Sequence, residues 1–334
     1  MSLAAMLNGQ GATGLFEGVS EEAMAKYSIE NGPVVMAMEC AELLNTAFME
    51  GFYAVNDVEI SAVVEGYQSV TESSEKMNKI REHVKNAGKA IAEVFRKMAG
   101  AVRGFFANIG KKIRERALAS DKFFNSLPGS IKTITYEGYD FKGLDEIRDV
   151  LYKTTPSNML DSCKEMGDVV TGKDITEEDL EKIKAAHTEI FADLRKSFNI
   201  DDNTSLSDGF WSYFRSGATK DQIKECKIAV SEVKKLTKSG DKLAKNMDEV
   251  SKAIEKDYLN YASECEKSAE GDDSTRGNAW RSIAGTAREF NNYLTTLASS
   301  WLNAYNEACA QWGYGARAYL AKEKKNAKTD GGDN

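Results

Sequence analysis

The chain has 334 residues with a net charge of −8, 42% apolar and 29% charged side chains. That composition supports a packed core and excludes global disorder, and the acidic balance excludes nucleic-acid binding over the whole surface. Only three prolines occur, Pro33, Pro128 and Pro156, so the last 178 residues contain none. This favours long helices over many short strands.

The five cysteines, Cys40, Cys163, Cys226, Cys265 and Cys309, are far apart and form no CxxC pair. Most of them are expected as small buried side chains of a reducing compartment. The N-terminus, Met1-Ser2-Leu3-Ala4-Ala5-Met6, has no basic region followed by an apolar run, so no secretory signal is expected. No run of about 18 uncharged apolar residues occurs, so no committed transmembrane helix is expected either.

In chain order, residues 1–19 are rich in Gly, Ala and Ser and are expected to form a flexible arm. A short helix is predicted over Glu21–Ser28. Asn31-Gly32-Pro33 then restarts a helix over about 34–66. The next segment, about 73–118, carries an apolar seam at 3,4 spacing: Met77, Ile80, Val84, Ala87, Ile91, Val94, Met98 and Ala101. Such a seam suits a bundle or coiled-coil contact. Residues 20–118 are therefore expected as an N-terminal helical region.

Residues 119–218 are expected as a mixed middle region. Ile131 to Tyr136 alternates with β-branched residues, which predicts one short β-strand or hairpin near 131–141. A helix over about 144–153 follows, and Thr155-Pro156 restarts the chain. Thr176 is the expected N-cap of an acidic helix running to about Phe198. Residues 199–218 are polar, with an aromatic knot of Phe210, Trp211, Tyr213 and Phe214.

Residues 219–323 are expected as an αα-hairpin built from helices over about 220–268 and 275–323. Heptad steps align Trp280, Ala287, Leu294, Trp301 and Ala308 in one row of the second helix, a pattern expected of core. Residues 324–334 are expected to be a disordered tail. The fold class expected is all-α, a long-helix bundle with coiled-coil-like hairpins, plus one short β element.

No catalytic, cofactor or metal site emerges. His83 and His187 lack a second ligand type one helical turn away. Asp201 to Leu206 resembles a calcium loop only faintly, without the glycine at the sixth position. Gly9, Gly11 and Gly14 spell GxGxxG without a preceding strand, and Gly167, Gly172 and Lys173 spell GxxxxGK with Asp174 where a P-loop needs a hydroxyl.

The charge is uneven. Between residues 76 and 116, twelve Lys or Arg face Glu82, Glu93 and Glu115, giving +9 against −17 elsewhere. Lys85, Lys89, Arg96, Lys97, Arg103, Lys111, Lys112, Arg114 and Arg116 form a candidate face for an anionic partner: acidic protein, nucleic acid or an anionic membrane. Gly100, Gly104 and Gly110 in the same helix permit close approach of a neighbour, or make the helix easy to bend.

The run AEVFRKMAGAVRGFFANIGKKI (Ala92–Ile113), then Ser120-Asp121-Lys122-Phe123-Phe124, then Tyr136-Glu137-Gly138-Tyr139-Asp140-Phe141, resembles virion structural proteins of large tailed phages of Gram-positive bacteria. The resemblance implies a non-enzymatic component of the virion, capsid-internal by position, made in the host cytoplasm and packing against itself and other virion proteins. Leu15-Phe16-Glu17-Gly18 is similar to the cleavage pattern of prohead proteases, which marks Glu17 and Gly18 as a candidate processing site. Two alternatives stand beside this expectation. One is a membrane-active protein delivered with the phage genome; the other is an unrecognised cytoplasmic enzyme or interaction module.

Overall fold

The structure, a computed structural model, describes residues 74–268 and 274–329. The expected arm, the helices over Glu21–Ser28 and 34–66, the candidate processing site and the GxGxxG pattern lie outside the described residues. Among these, the chain forms nine helices and one two-stranded antiparallel sheet. In chain order the elements are α1 (Ser74–Asn125), β1 (Thr133–Gly138), α2 (Ile147–Lys153), α3 (Pro156–Asp161), α4 (Lys164–Val170) and α5 (Glu177–Ser197). They continue with α6 (Leu206–Phe214), β2 (Lys224–Ala229), α7 (Val230–Lys238), α8 (Gly240–Ser268) and α9 (Ser274–Thr329). The fold is all-α with one short β element.

Helix α1 forms where the 3,4 seam predicts, and it runs on to Asn125. Ile91, Val94 and Met98 are buried, and the seam continues through Phe95, Val102, Phe106, Ile109 and Ile113. Helix α8 lies antiparallel along this seam. Ala117 meets Gly240 at one end and the Gly88 carbonyl accepts from the Cys265 thiol at the other. Small residues set the spacing: a Cβ on Gly240 would stand 1.9 Å from that of Ala117, and one on Gly110 would stand 3.5 Å from the Ala244 carbonyl.

Helix α9 lies parallel to α1, from the Phe95–Trp280 ring contact to the seat of Phe123 beneath Arg317. The row Trp280, Ala287, Leu294, Trp301 and Ala308 is buried throughout. Trp301 donates from Nε1 to the Leu144 carbonyl, and its ring stacks on Tyr305 at 5.4 Å. Tyr258 of α8 donates to the Ala287 carbonyl of α9.

Helix α5 runs parallel to α9 in constant register. Thr275 donates to Glu177, His187 contacts Thr286, and Tyr293 donates to the Leu194 carbonyl. Its start is a capping box: the Thr176 hydroxyl accepts from the Asp179 N–H while the Asp179 carboxylate accepts from the Thr176 N–H. The Thr176 hydroxyl also donates to the Asp179 carboxylate at 2.7 Å, and that bond first, then the one from the Thr176 N–H, holds the Asp179 carboxyl below the usual carboxylate range.

Three expectations are corrected. The helix expected over about 220–268 is divided into β2, α7 and α8. Residues 224–229 take the extended form because β1 offers an antiparallel edge, with Tyr136 opposite Cys226; local periodicity carries no sign of a partner almost ninety residues away. Helix α8 lies mainly along α1, where the small residues at 110, 117, 240 and 244 let those two backbones approach, while it runs antiparallel to α9 and reaches it through Tyr258. The aromatic knot is helix α6, started by the Ser205 hydroxyl accepting from the Asp208 N–H. At the C-terminus, α9 continues through the first part of the expected tail, to Thr329.

Strand β1 alternates exposed and buried residues, with Ile134 and Tyr136 turned inward. It crosses α9 closely. A Cβ on Gly315 would lie 2.5 Å from the Thr135 carbonyl, and one on Gly138 would fall on the Gln311 side chain.

Candidate interaction surface

Helix α1 has two unlike faces. Toward α8, its arginines meet a row of acids at Asp241, Asp248, Glu255 and Glu266. Arg103 donates to Ser251 Oγ at 2.7 Å, and its guanidinium lies 2.8 Å from Asp248 Oδ1 and 3.6 Å from Glu255. Arg96 pairs with Glu266 and, at 3.7 Å, with Glu93. Arg114 reaches Asp241 at 3.9 Å. Lys252 and then Arg103 hold the Asp248 carboxyl below the usual range. Each such half-exposed pair contributes about 0–1 kcal/mol. Their collective effect is to fix α8 against α1 in one register.

The opposite face points to solvent. Lys97, Gly100, Gly104, Ala107, Lys111 and Leu118 follow one another along it, and all six are exposed, with Arg114 at the edge toward α8. A Cβ added at Gly100 or Gly104 would meet nothing within 4 Å. Lys97 and Lys111 make no ion pair among the described residues. Leu118 is 75% exposed, the most open of the large apolar residues among those described. The stripe is thus narrow and small in its middle, cationic on either side and apolar at one end.

The nine candidate residues therefore separate. Arg96, Arg103 and Arg114 hold acids within the chain. Lys89, Lys97 and Lys111 are exposed. Lys112 is half-buried and engaged. Arg116 turns toward α9, donating to the Asn306 carbonyl at 3.2 Å. The side chains of Lys85 and His83 lie outside the described residues.

The remaining motifs have structural roles. His187 spans Thr286 and Glu289, at 3.1 and 3.2 Å, and packs on Phe191. In the calcium-like loop, the Arg195 guanidinium donates to the Asp201, Asp202 and Thr204 carbonyls, so a cation already occupies that turn. In GxxxxGK, Gly167 lies inside α4 and Lys173 folds back on Asp168 at 2.7 Å, after the helix's C-terminal end. A P-loop places its lysine at a helix start. Among the described residues no group of three His, Cys, Asp or Glu could hold a metal ion. No described helix is long and apolar enough to cross a membrane.

Sequence reasoning missed one polar cluster. Arg215 follows α6 and is 1% exposed. It pairs with Glu307 of α9, donates to the Trp211 carbonyl at 2.8 Å, and stacks over the Trp211 ring at 4.2 Å. Gln311 donates to Glu307 and accepts from the Tyr139 N–H, tying in the end of β1. Burial pushes the Arg215 pKa down while Glu307 opposes that. This is a core fastening.

The described cysteines are buried free thiols, and burial raises each above the usual thiol range, Cys265 to about 12. They are held as neutral thiols, which are poor nucleophiles. No family model, curated protein or solved structure matches this chain.

Proposed function

We propose that the protein is a non-enzymatic structural component of a bacteriophage virion, located inside the head, which works by helical packing and self-association. The observation that carries the reading is the outer stripe of α1, Lys97 to Leu118. A helix interior that keeps two glycines where none of the described residues touches them sacrifices about 1 kcal/mol at each. A partner laid closely against the stripe accounts for that sacrifice, and the flanking lysines specify an acidic one. The likeness of the Ala92–Ile113 run and the following turn and strand to phage virion proteins supports the particle as the setting.

The acidic complement exists within the protein itself. Residues 1–73 carry eleven Asp or Glu against Lys26 alone, a net −10. A second copy therefore brings its own counter-charge to the stripe. The alternative of a helix laid on anionic lipid is less favoured. Phe95, Phe106, Ile109 and Ile113, which would enter the lipid, are buried against α8 and α9.

The test combines Lys97→Glu with Lys111→Glu. Both side chains are exposed, so the fold should persist by circular dichroism. Sedimentation velocity of the intact protein should show self-association that weakens with salt and with the reversals. A wild-type chain that stays monomeric at all salt concentrations overturns the self-association reading. Intact protein that floats with anionic vesicles, and loses flotation in the variant, supports the lipid alternative.

A further inference from the structure

A second charged feature lies on the other side of α1, where its last turns meet α9. A cavity of about 250 Å³ opens there between Arg116, Ser120 and Phe123 of α1 and Cys309, Tyr314 and Arg317 of α9. No carboxylate lines it, and its only charges are the two guanidinium groups. Neither arginine has an acidic partner among the described residues: Arg116 donates to the Asn306 carbonyl and Arg317 rests over the Phe123 ring at 5.0 Å. Arg116 Nε is buried without an acceptor. In a chain of net charge −8, with acids placed against Arg96, Arg103 and Arg114, two unpaired arginines on one cavity wall are unusual.

A buried donor without an acceptor costs free energy, and a guanidinium costs more than a neutral group. The cavity, lined by Arg116 and Arg317 and by no carboxylate, offers space for an acceptor. The Ser120 and Tyr314 hydroxyls add donors, and the Phe123 ring gives an apolar wall. Guanidinium forks match the planar oxygens of carboxylate and the tetrahedral oxygens of phosphate. The volume lies just under the usual range for ligand pockets, about 300–1,000 Å³, so the ligand is small. The Cys309 thiol on the wall is kept protonated by burial, so the site suits binding and not attack on the ligand.

We propose that this cavity binds a small free oxyanion, a phosphate or compact carboxylate, held by Arg116 and Arg317. Bound there, the anion bridges the end of α1 to α9 and stabilises their contact. The site is separate from the outer stripe and from any partner on it.

The test uses the intact protein with inorganic phosphate, sulfate and citrate as probes, and sodium chloride at matched ionic strength as control. Titration calorimetry should show saturable binding of at least one probe at one site per chain, and melting temperature should rise with that probe but not with chloride. Arg317→Gln leaves an exposed position and should weaken binding by about tenfold or more, the worth of one charge-assisted bond. Arg116→Gln should do the same; if it lowers the starting melting temperature, the increment with the probe is what counts. Lys111→Gln, on the outer stripe, should bind as wild type. No saturable binding of any probe overturns the proposal, as does equal binding by the two arginine variants.

Discussion

At the scale of single residues, Arg215 is the side chain on which most depends. A charge moved out of water is tolerated only when paired and hydrogen-bonded. Here Glu307, the Trp211 carbonyl and the Trp211 ring together meet that need. Removing the acid leaves the cation buried. Glu307→Ala should therefore destabilise the fold by about 3–5 kcal/mol, toward the lower end because the contacts to Trp211 remain. Urea denaturation should show the midpoint falling with the slope preserved. A loss under 1 kcal/mol would mean that water reaches Arg215 in solution. None of this was legible in the sequence, where Arg215 sits among Ser, Gly and Thr and reads as a solvated loop charge. The aromatic knot beside it was visible, but not that the knot is a helix or that it covers a cation. Thr176 shows the opposite case. Its cap depends on residues three apart, and local chemistry suffices to place it.

At the scale of elements, glycine has two opposite meanings in this chain. Gly240 lies where α8 meets α1 and a Cβ there would collide with Ala117, while Gly110 of α1 faces the Ala244 backbone at ordinary contact distance. Gly100 and Gly104 lie on the same helix, open to solvent. Gly104→Ala should raise the stability of the monomeric chain by up to about 1 kcal/mol, since alanine gains helix propensity and meets no neighbour. Gly240→Val should lower stability by about 1–3 kcal/mol through overpacking on Ala117. Thermal denaturation of both variants at concentrations that disfavour association checks the pair. If Gly104→Ala destabilises there, something within the chain already covers the stripe. The sequence showed three glycines in α1 as equivalent. Only the position of α8 separates Gly110 from the other two. The seam of α1 and the tryptophan row of α9 were legible, because a 3,4 repeat encodes a buried face without naming the neighbour. Strand β2 was not. Lys224-Glu225-Cys226-Lys227 offers one inward residue, and its extended form is imposed by Thr133–Gly138.

At the scale of the whole molecule, charge divides between work done inside and outside the chain. The +9 segment was plain in the sequence, while its division was not. Arg96, Arg103 and Arg114 take the geometrically demanding pairs with α8, and Lys97 and Lys111 remain outside. Guanidinium forks hold fixed geometry, whereas ammonium groups on flexible stems serve a surface that must accommodate a partner.

The β1–β2 ladder has a consequence for the order of folding. It joins Thr133 to Ala229 and Gly138 to Lys224, residues 96 and 86 positions apart by subtraction of their numbers. Five helices, α2 to α6, lie within the loop that it closes. Closing a loop of that length costs about 2 kcal/mol more entropy than closing one of ten residues. Two strands alone cannot repay this, since an isolated pair is marginal in water. The ladder gains its support from Ile134 and Tyr136 seated on α9 at Gly315, so it is expected to form after that helix has docked. Ile134→Ala should then accelerate unfolding while leaving the refolding rate nearly unchanged, giving a φ-value near zero in stopped-flow chevrons. A φ-value near one would place the ladder in the folding nucleus and make it the event that gathers α2 to α6, not the stitch that closes over them.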